Sequence, residues 1–91
     1  MNNSFFLGST ITFIINITQN GTPTDPVSAF ITCTNTKGGD TPVLNQTMYK
    51  RSTGIWYYVW TSSEIGNFNV SYAVSDGVNI TISKDSFTVT P

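Results

Sequence analysis

The stretch Thr53-Gly54-Ile55-Trp56-Tyr57-Tyr58-Val59-Trp60-Thr61 decides the fold class. Thr53-Gly54 is turn chemistry. The next seven residues are aromatic or β-branched, the types that suit a pleated, half-buried surface. Trp56, Tyr58 and Trp60 share one face; Ile55, Tyr57 and Val59 share the other. Apolar character on both faces marks a central or doubly covered strand.

The same period of two continues on either side. Downstream, beyond Ser62-Ser63-Glu64-Ile65-Gly66, the residues Phe68, Val70, Tyr72 and Val74 alternate with Asn67, Asn69 and Ser71. Asp76-Gly77 signals a two-residue hairpin. Val78, Ile80 and Ile82 continue the inward face, Lys84-Asp85-Ser86 interrupts the parity as a bulge, and Phe87 and Val89 resume it. Upstream, Ile11, Phe13, Ile15 and Ile17 form one face between Thr10 and Thr18, and Val27, Ala29, Ile31 and Cys33 form another. Between them, Gln19 to Pro26 holds Asn20-Gly21, Pro23 and Asp25-Pro26, a loop. Lys37-Gly38-Gly39-Asp40 ends the second run, and Val43 to Tyr49 is a weaker strand without a clear register. Turn signals every 8–12 residues with no helical period describe an all-β sandwich or barrel. The expected core includes Phe13, Trp56, Tyr58, Trp60, Val70, Tyr72, Ile80 and Phe87.

Composition agrees and narrows the function. Ninety-one residues make one domain, 1–91, with 1–8 an N-terminal arm or short edge strand. The 13% aromatic content supports a core without disulfides, and the 10% charged content is too low for a disordered chain. Four basic residues and a net charge of −1 oppose a nucleic-acid surface, which needs clustered Lys and Arg. Lys50-Arg51, the only adjacent basic pair, reads as a solvated strand end. No segment reaches the ~20 apolar residues of a membrane span, so no membrane partner is expected. Residues 1–8 lack the basic start and unbroken apolar run of a signal peptide, so the chain is expected to be an ordinary cytoplasmic product.

Chemistry-bearing residues are few. There is no His, and Asp25, Asp40, Glu64, Asp76 and Asp85 all fall in expected turns or interruptions, where Asp serves the backbone. No catalytic residue, metal site or cofactor is expected; calcium would need denser loop carboxylates. The sequons at Asn2, Asn16, Asn20, Asn45, Asn69 and Asn79 read as outward polar residues recurring at period two. The off-parity apolar residues Ile14, Phe30, Ile55, Tyr57 and Val59 are the expected protein-binding surface, because a grouped apolar patch rimmed by Ser, Thr and Asn marks an interaction site.

The second half also carries a resemblance. Thr53-Gly54-Ile55-Trp56-Tyr57-Tyr58-Val59-Trp60, then Gly66-Asn67-Phe68-Asn69-Val70, Asp76-Gly77 and Phe87-Thr88-Val89-Thr90, with Gly21 to Val27 upstream, resembles bacterial and phage immunoglobulin-like modules over roughly residues 8–91. The resemblance implies an immunoglobulin-like antiparallel β-sandwich of about seven strands, with Trp56 or Trp60 at its centre. It implies a structural or binding module of surface and virion proteins. The leading expectation is a capsid decoration protein assembled in the host cytoplasm and exposed on the particle. Its partner would be a capsid or other virion protein, with self-association and weak contact with surface glycans as secondary expectations. The rivals are a module of a bacterial or archaeal cell-surface adhesin and a carbohydrate-binding domain; inward parity of most aromatics argues against the latter.

Cys33 is the only cysteine, so no intrachain disulfide can form. Thermal melts with and without reductant are expected to coincide; a separation would reveal a covalent partner.

Overall fold

The computed structural model describes residues 3–91, and in them the chain is all-β. Strands β1 (Asn3–Phe6), β2 (Thr10–Asn16), β3 (Thr18–Gln19), β4 (Thr22–Pro23) and β5 (Ser28–Asn35) lead into β6 (Val43–Thr47) and β7 (Tyr49–Ser52). Strands β8 (Ile55–Thr61), β9 (Gly66–Ser75) and β10 (Ile80–Thr90) complete the chain. A five-stranded sheet runs β1-β10-β9-β5-β6, a three-stranded sheet runs β2-β8-β7, and β3-β4 is a separate hairpin.

Ten strands stand where about seven were expected, for two local reasons. Asn20 (φ 52°) and Gly21 (φ 79°) both take positive φ, the conformation an Asn-Gly hairpin turn requires, so the expected loop closes as β3-β4. The weak segment Val43 to Tyr49 is split because it changes sheets. β6 pairs with β5, β7 pairs with β8, and Met48 at the crossing is buried with its N–H donating to Ala29 O at 2.8 Å. One pairing is parallel: β1 lies beside the end of β10, from Asn3 opposite Phe87 to Phe6 opposite Thr90.

The two larger sheets share one core. Ile11 and Phe13 come from β2; Ala29, Ile31 and Cys33 from β5; Phe68, Val70 and Tyr72 from β9; Phe87 and Val89 from β10. Val43 and Met48 join them, and Phe5, Ile15, Trp56, Tyr58, Trp60 and Val74 pack against the margin. Phe87 is the hub of the rings. It stacks on Phe68 at 5.0 Å between centroids and meets Phe13 at 5.5 Å, Phe5 at 6.0 Å and Trp60 at 6.1 Å. Aromatic pairs in this range add to the stabilisation from burial alone. Cys33 lies within this core, as its parity implied, and burial pushes its thiol pKa up to about 12. Tyr72 is pushed to about 12 by burial, with a smaller contribution from Cys33.

Four expectations are overturned. No bulge interrupts β10: its register with β9 is unbroken from Ile80 opposite Ser75 to Val89 opposite Gly66, and Asp85 sits inside the ladder opposite Val70. A straight strand puts residues of one parity on one face. With Phe87 and Val89 inward, Ile80 and Ile82 point out, and they are 68% and 52% exposed. Val78 and Val27, also assigned to inward faces, are exposed as well. The β9–β10 turn is centred one residue later than expected, on Gly77-Val78: Asp76 N–H donates to Asn79 O at 3.1 Å, and Gly77 takes φ 96°. Trp56 and Trp60 are half-buried at the core margin, not at its centre.

Two buried polar side chains clamp the end of the molecule near Phe87. Ser62 Oγ accepts from Gly8 N–H at 2.9 Å and reaches the carbonyls of Phe6 and Ser9 at 3.3 and 3.2 Å. Asn35 Nδ2 donates to Glu64 Oε1 at 3.1 Å and to Ile65 O at 3.2 Å, and its Oδ1 accepts from Lys37 N–H at 3.0 Å. No side-chain polar atom buried among the described residues lacks a partner, so these clamps add order without an orphaned group.

Phe87→Ala is expected to cost about 3–5 kcal/mol in denaturant titration, the range for truncating a buried aromatic. Ile82→Ser is expected to cost less than about 1 kcal/mol, as surface changes do. Similar costs for the two would mean that the phase of β10 is wrong.

Candidate functional site

The apolar residues named from sequence divide between two outer faces. Ile14, Ile55, Tyr57 and Val59 lie together outside the three-stranded sheet. Ile14 pairs with Tyr57, Thr12 with Val59 and Asn16 with Ile55 across β2 and β8. On the other side of β8, Tyr49 of β7 pairs with Tyr57, their ring centroids 5.9 Å apart. The row Ile14–Tyr57–Tyr49 therefore crosses all three strands. Ile14 is 47% and Val59 45% exposed; Tyr57 and Ile55 are half-buried, held by neighbours yet open to solvent. Arg51 lies beside Thr12, Tyr57 and Val59 around a shallow depression, and Thr10, Asn16 and Thr61 give the face a polar rim.

Phe30 is not part of this group. It sits on the outer face of the five-stranded sheet, opposite Ala73 of β9, which in turn pairs with Ile82 of β10. Phe30, Ala73 and Ile82 thus make a second, smaller apolar row. The grouping from parity put Phe30 with Tyr57 because parity assigns a residue to an outside without saying which sheet owns it. Tyr49 was missed because Val43 to Tyr49 carried no clear register, and Ile82 was missed because the assumed bulge turned it inward.

Two aspartates brace loops and turns. Asp25 joins the loop before β5 to the β7–β8 turn: Oδ2 pairs with Lys50 Nζ at 2.6 Å, and Oδ1 accepts from Gly54 N–H at 2.9 Å and Trp56 Nε1–H at 3.4 Å. The bond with Lys50 first, then that from Gly54, holds its pKa below the ordinary aspartate value. Gly54 could not be another residue. With φ 76°, a Cβ there would lie 2.7 Å from Ile17 O and 2.9 Å from Pro23 Cβ. Asp76 Oδ1 accepts from Asn79 N–H at 2.7 Å and Val78 N–H at 2.8 Å, which lowers its pKa too. Among the described residues no three His, Cys, Asp or Glu side chains gather as a metal site would require. The sequon residues Asn16, Asn20, Asn45, Asn69 and Asn79 are exposed; Asn2 lies outside the described residues.

Comparison with family models, with curated proteins and with solved structures finds no match for this chain.

The two aspartates set an expected acid response. A carboxylate whose folded pKa is depressed contributes stability above its unfolded pKa, about 3.9, and loses it as pH falls through the folded value. The melting temperature is expected to drop as pH is lowered through and below the ordinary aspartate range. Replacing Asp25 and Asp76 together by Asn should lower stability at neutral pH and flatten that drop. An unchanged acid slope would show that neither side chain is linked to folding.

Proposed function

We propose that this chain is a non-catalytic binding module with an immunoglobulin-like sandwich, attached to a protein partner through the outer face of its three-stranded sheet. The sheet orders support the fold reading. Two antiparallel-rich sheets, β1-β10-β9-β5-β6 and β2-β8-β7, with the chain crossing between them at Met48, are compatible with such a domain, the first strand lying beside the last one. The interface reading rests on one observation: the row Ile14–Tyr57–Tyr49 crosses all three strands, with Ile14 and Tyr49 exposed and Tyr57 half-buried between them, and Val59 and Arg51 lie beside it. Tyr and Arg are among the residues that most often dominate binding energy, because each combines contact area with directed hydrogen bonds. A polar Thr and Asn rim round an apolar centre is also the layout of a protein interface.

The proposed setting is a virion surface, with a capsid or other virion protein as partner. Its support is the likeness of the Thr53–Trp60, Gly66–Val70 and Phe87–Thr90 pattern to phage and bacterial surface modules. Mass spectrometry of purified particles tests that setting directly: a stoichiometric band supports it, and absence from particles refutes it.

The face is tested separately. Replacing Tyr57 and Val59 together by Ser is expected to leave a cooperative thermal melt while weakening co-sedimentation with particles lacking the protein by tenfold or more, about 1.4 kcal/mol. Undiminished co-sedimentation with an intact melt would remove this face from the interface. Phe30→Ser, on the other sheet, serves as the matched control and is expected to leave attachment unchanged.

A further inference from the structure

The sandwich is unclosed along one side, between β2 and the first half of β10. β1 covers β10 only from Phe87 to Thr90. From Ile80 to Lys84 the strand pairs with β9 on one side, and no described strand lies on the other. In a strand of an antiparallel pair, every second residue turns its N–H and C=O away from that partner. Those of Ile80–Lys84 therefore form an unmatched ladder. Proteins blunt such edges with charge, proline, a bulge or a covering loop. The register is unbroken and the edge holds no proline; its one charge, Lys84, stands at the end of the stretch and leaves Ile80-Thr81-Ile82-Ser83 without any.

The side chains agree. Thr81 and Ser83 have the parity of buried Phe87 and Val89, yet both are exposed. Two adjoining recesses lie there, of about 190 and 230 Å³. They share Ile17, Thr18, Val74 and Thr81; Ile15, Asn16, Tyr72 and Ser83 complete the larger one. Each exceeds the roughly 150 Å³ that admits a benzene ring. Asp25 and Asp76, both held ionised by their hydrogen bonds, line the smaller recess.

We propose that this notch receives an extended segment of a protein partner as an added strand on the edge of β10. Main-chain groups of the segment would complete the ladder of Ile80–Lys84, continuing the line that β1 begins. Side chains on one face of a strand recur every second residue, about 7 Å apart, so residues i and i+2 enter the two recesses. Their apolar walls, Ile15, Ile17, Tyr72 and Val74, select apolar side chains. Asp25 is already paired with Lys50, so the carboxylate of Asp76 is the one that selects a Lys or Arg at the adjoining end of the segment. This is main-chain recognition with side-chain selection, on a different region of the molecule from the Tyr57 face and independent of whether that face binds.

The probes are two capped peptides, Lys-Thr-Ile-Ser-Ile-Thr-Ser and its reversed sequence, titrated into the isotope-labelled chain and followed by amide chemical shifts. The expected result for one of them is saturable shifts confined to Ile80–Lys84 and Ile15–Thr18, with slowed exchange of the edge amides. Serine at both isoleucines, or glutamate at the lysine, should weaken binding about tenfold. Thr81→Lys, which puts a long, charged, flexible chain at the wall the two recesses share, should do the same without lowering the melting temperature. Ser83→Lys provides a second block should Thr81→Lys fail to fold. Shifts absent at millimolar peptide, or present but indifferent to these changes, overturn the proposal. So does a dimer of the free chain with protected β10 amides, which would assign the edge to a second copy. The Tyr57→Ser, Val59→Ser variant should bind the peptide normally, so failure here and failure of the Tyr57 face are read separately.

Discussion

The contact between Phe87 and the rings of Phe13, Phe68, Trp60 and Phe5 governs the arrangement of this molecule. The five side chains come from β10, β2, β9, β8 and β1, so one ring draws together both sheets and the N-terminal strand. Side-chain period in a strand is two, so anchoring Phe87 inward sets the direction of every other residue of β10. Val89 follows it into the core; Ile80 and Ile82 are turned out; Thr81 and Ser83 are turned in, where nothing described covers them. The closed end and the open side of the sandwich are two results of one phase.

That phase was the least legible feature of the sequence. Alternation revealed each strand, because one face of β2, β5 and β9 is consistently apolar while the other is mostly polar, broken by Ile14, Phe30 and Ala73, and the cores of those strands fall where parity put them. In β10 the even positions carry isoleucine early and the odd positions carry Phe87 and Val89 late. Two descriptions fit such a pattern. A bulge keeps every apolar residue inside, and a straight strand leaves some outside. Preference for burial favours the bulge, but the ladder with β9 is regular over ten residue pairs, which only the straight strand allows. Keeping those hydrogen bonds outweighed burying Ile80 and Ile82.

The candidate faces were legible to the same degree. Ile14, Ile55, Tyr57 and Val59 are neighbours because β2 and β8 are adjacent in one sheet and both strongly patterned. Phe30 belongs elsewhere because sheet membership follows from pairing, and pairing across long loops leaves little trace in local pattern. The Asp25 cluster was readable only as a turn. Its bonds to Lys50, Gly54 and Trp56 join positions 25 to 31 residues apart, which no local rule supplies. Trp56 at the margin fits that cluster: its indole N–H points to the Asp25 carboxylate at the surface, 3.4 Å away.

The parallel pairing of β1 with the end of β10 bears on how the domain would carry load. The two strands run the same way, and Asn3 faces Phe87 while Thr90 faces Phe6. Tension that draws Asn3 and Thr90 apart along the strand axis slides one strand past the other, so the bonds of all four residue pairs are strained together. An antiparallel hairpin pulled from its open end would instead break its bonds singly, like a zipper. Phe5, locked edge-on against Phe87 at 6.0 Å, adds a side-chain catch to the same joint. Force directed along the chain thus meets the fold at a shear clamp beside its aromatic centre.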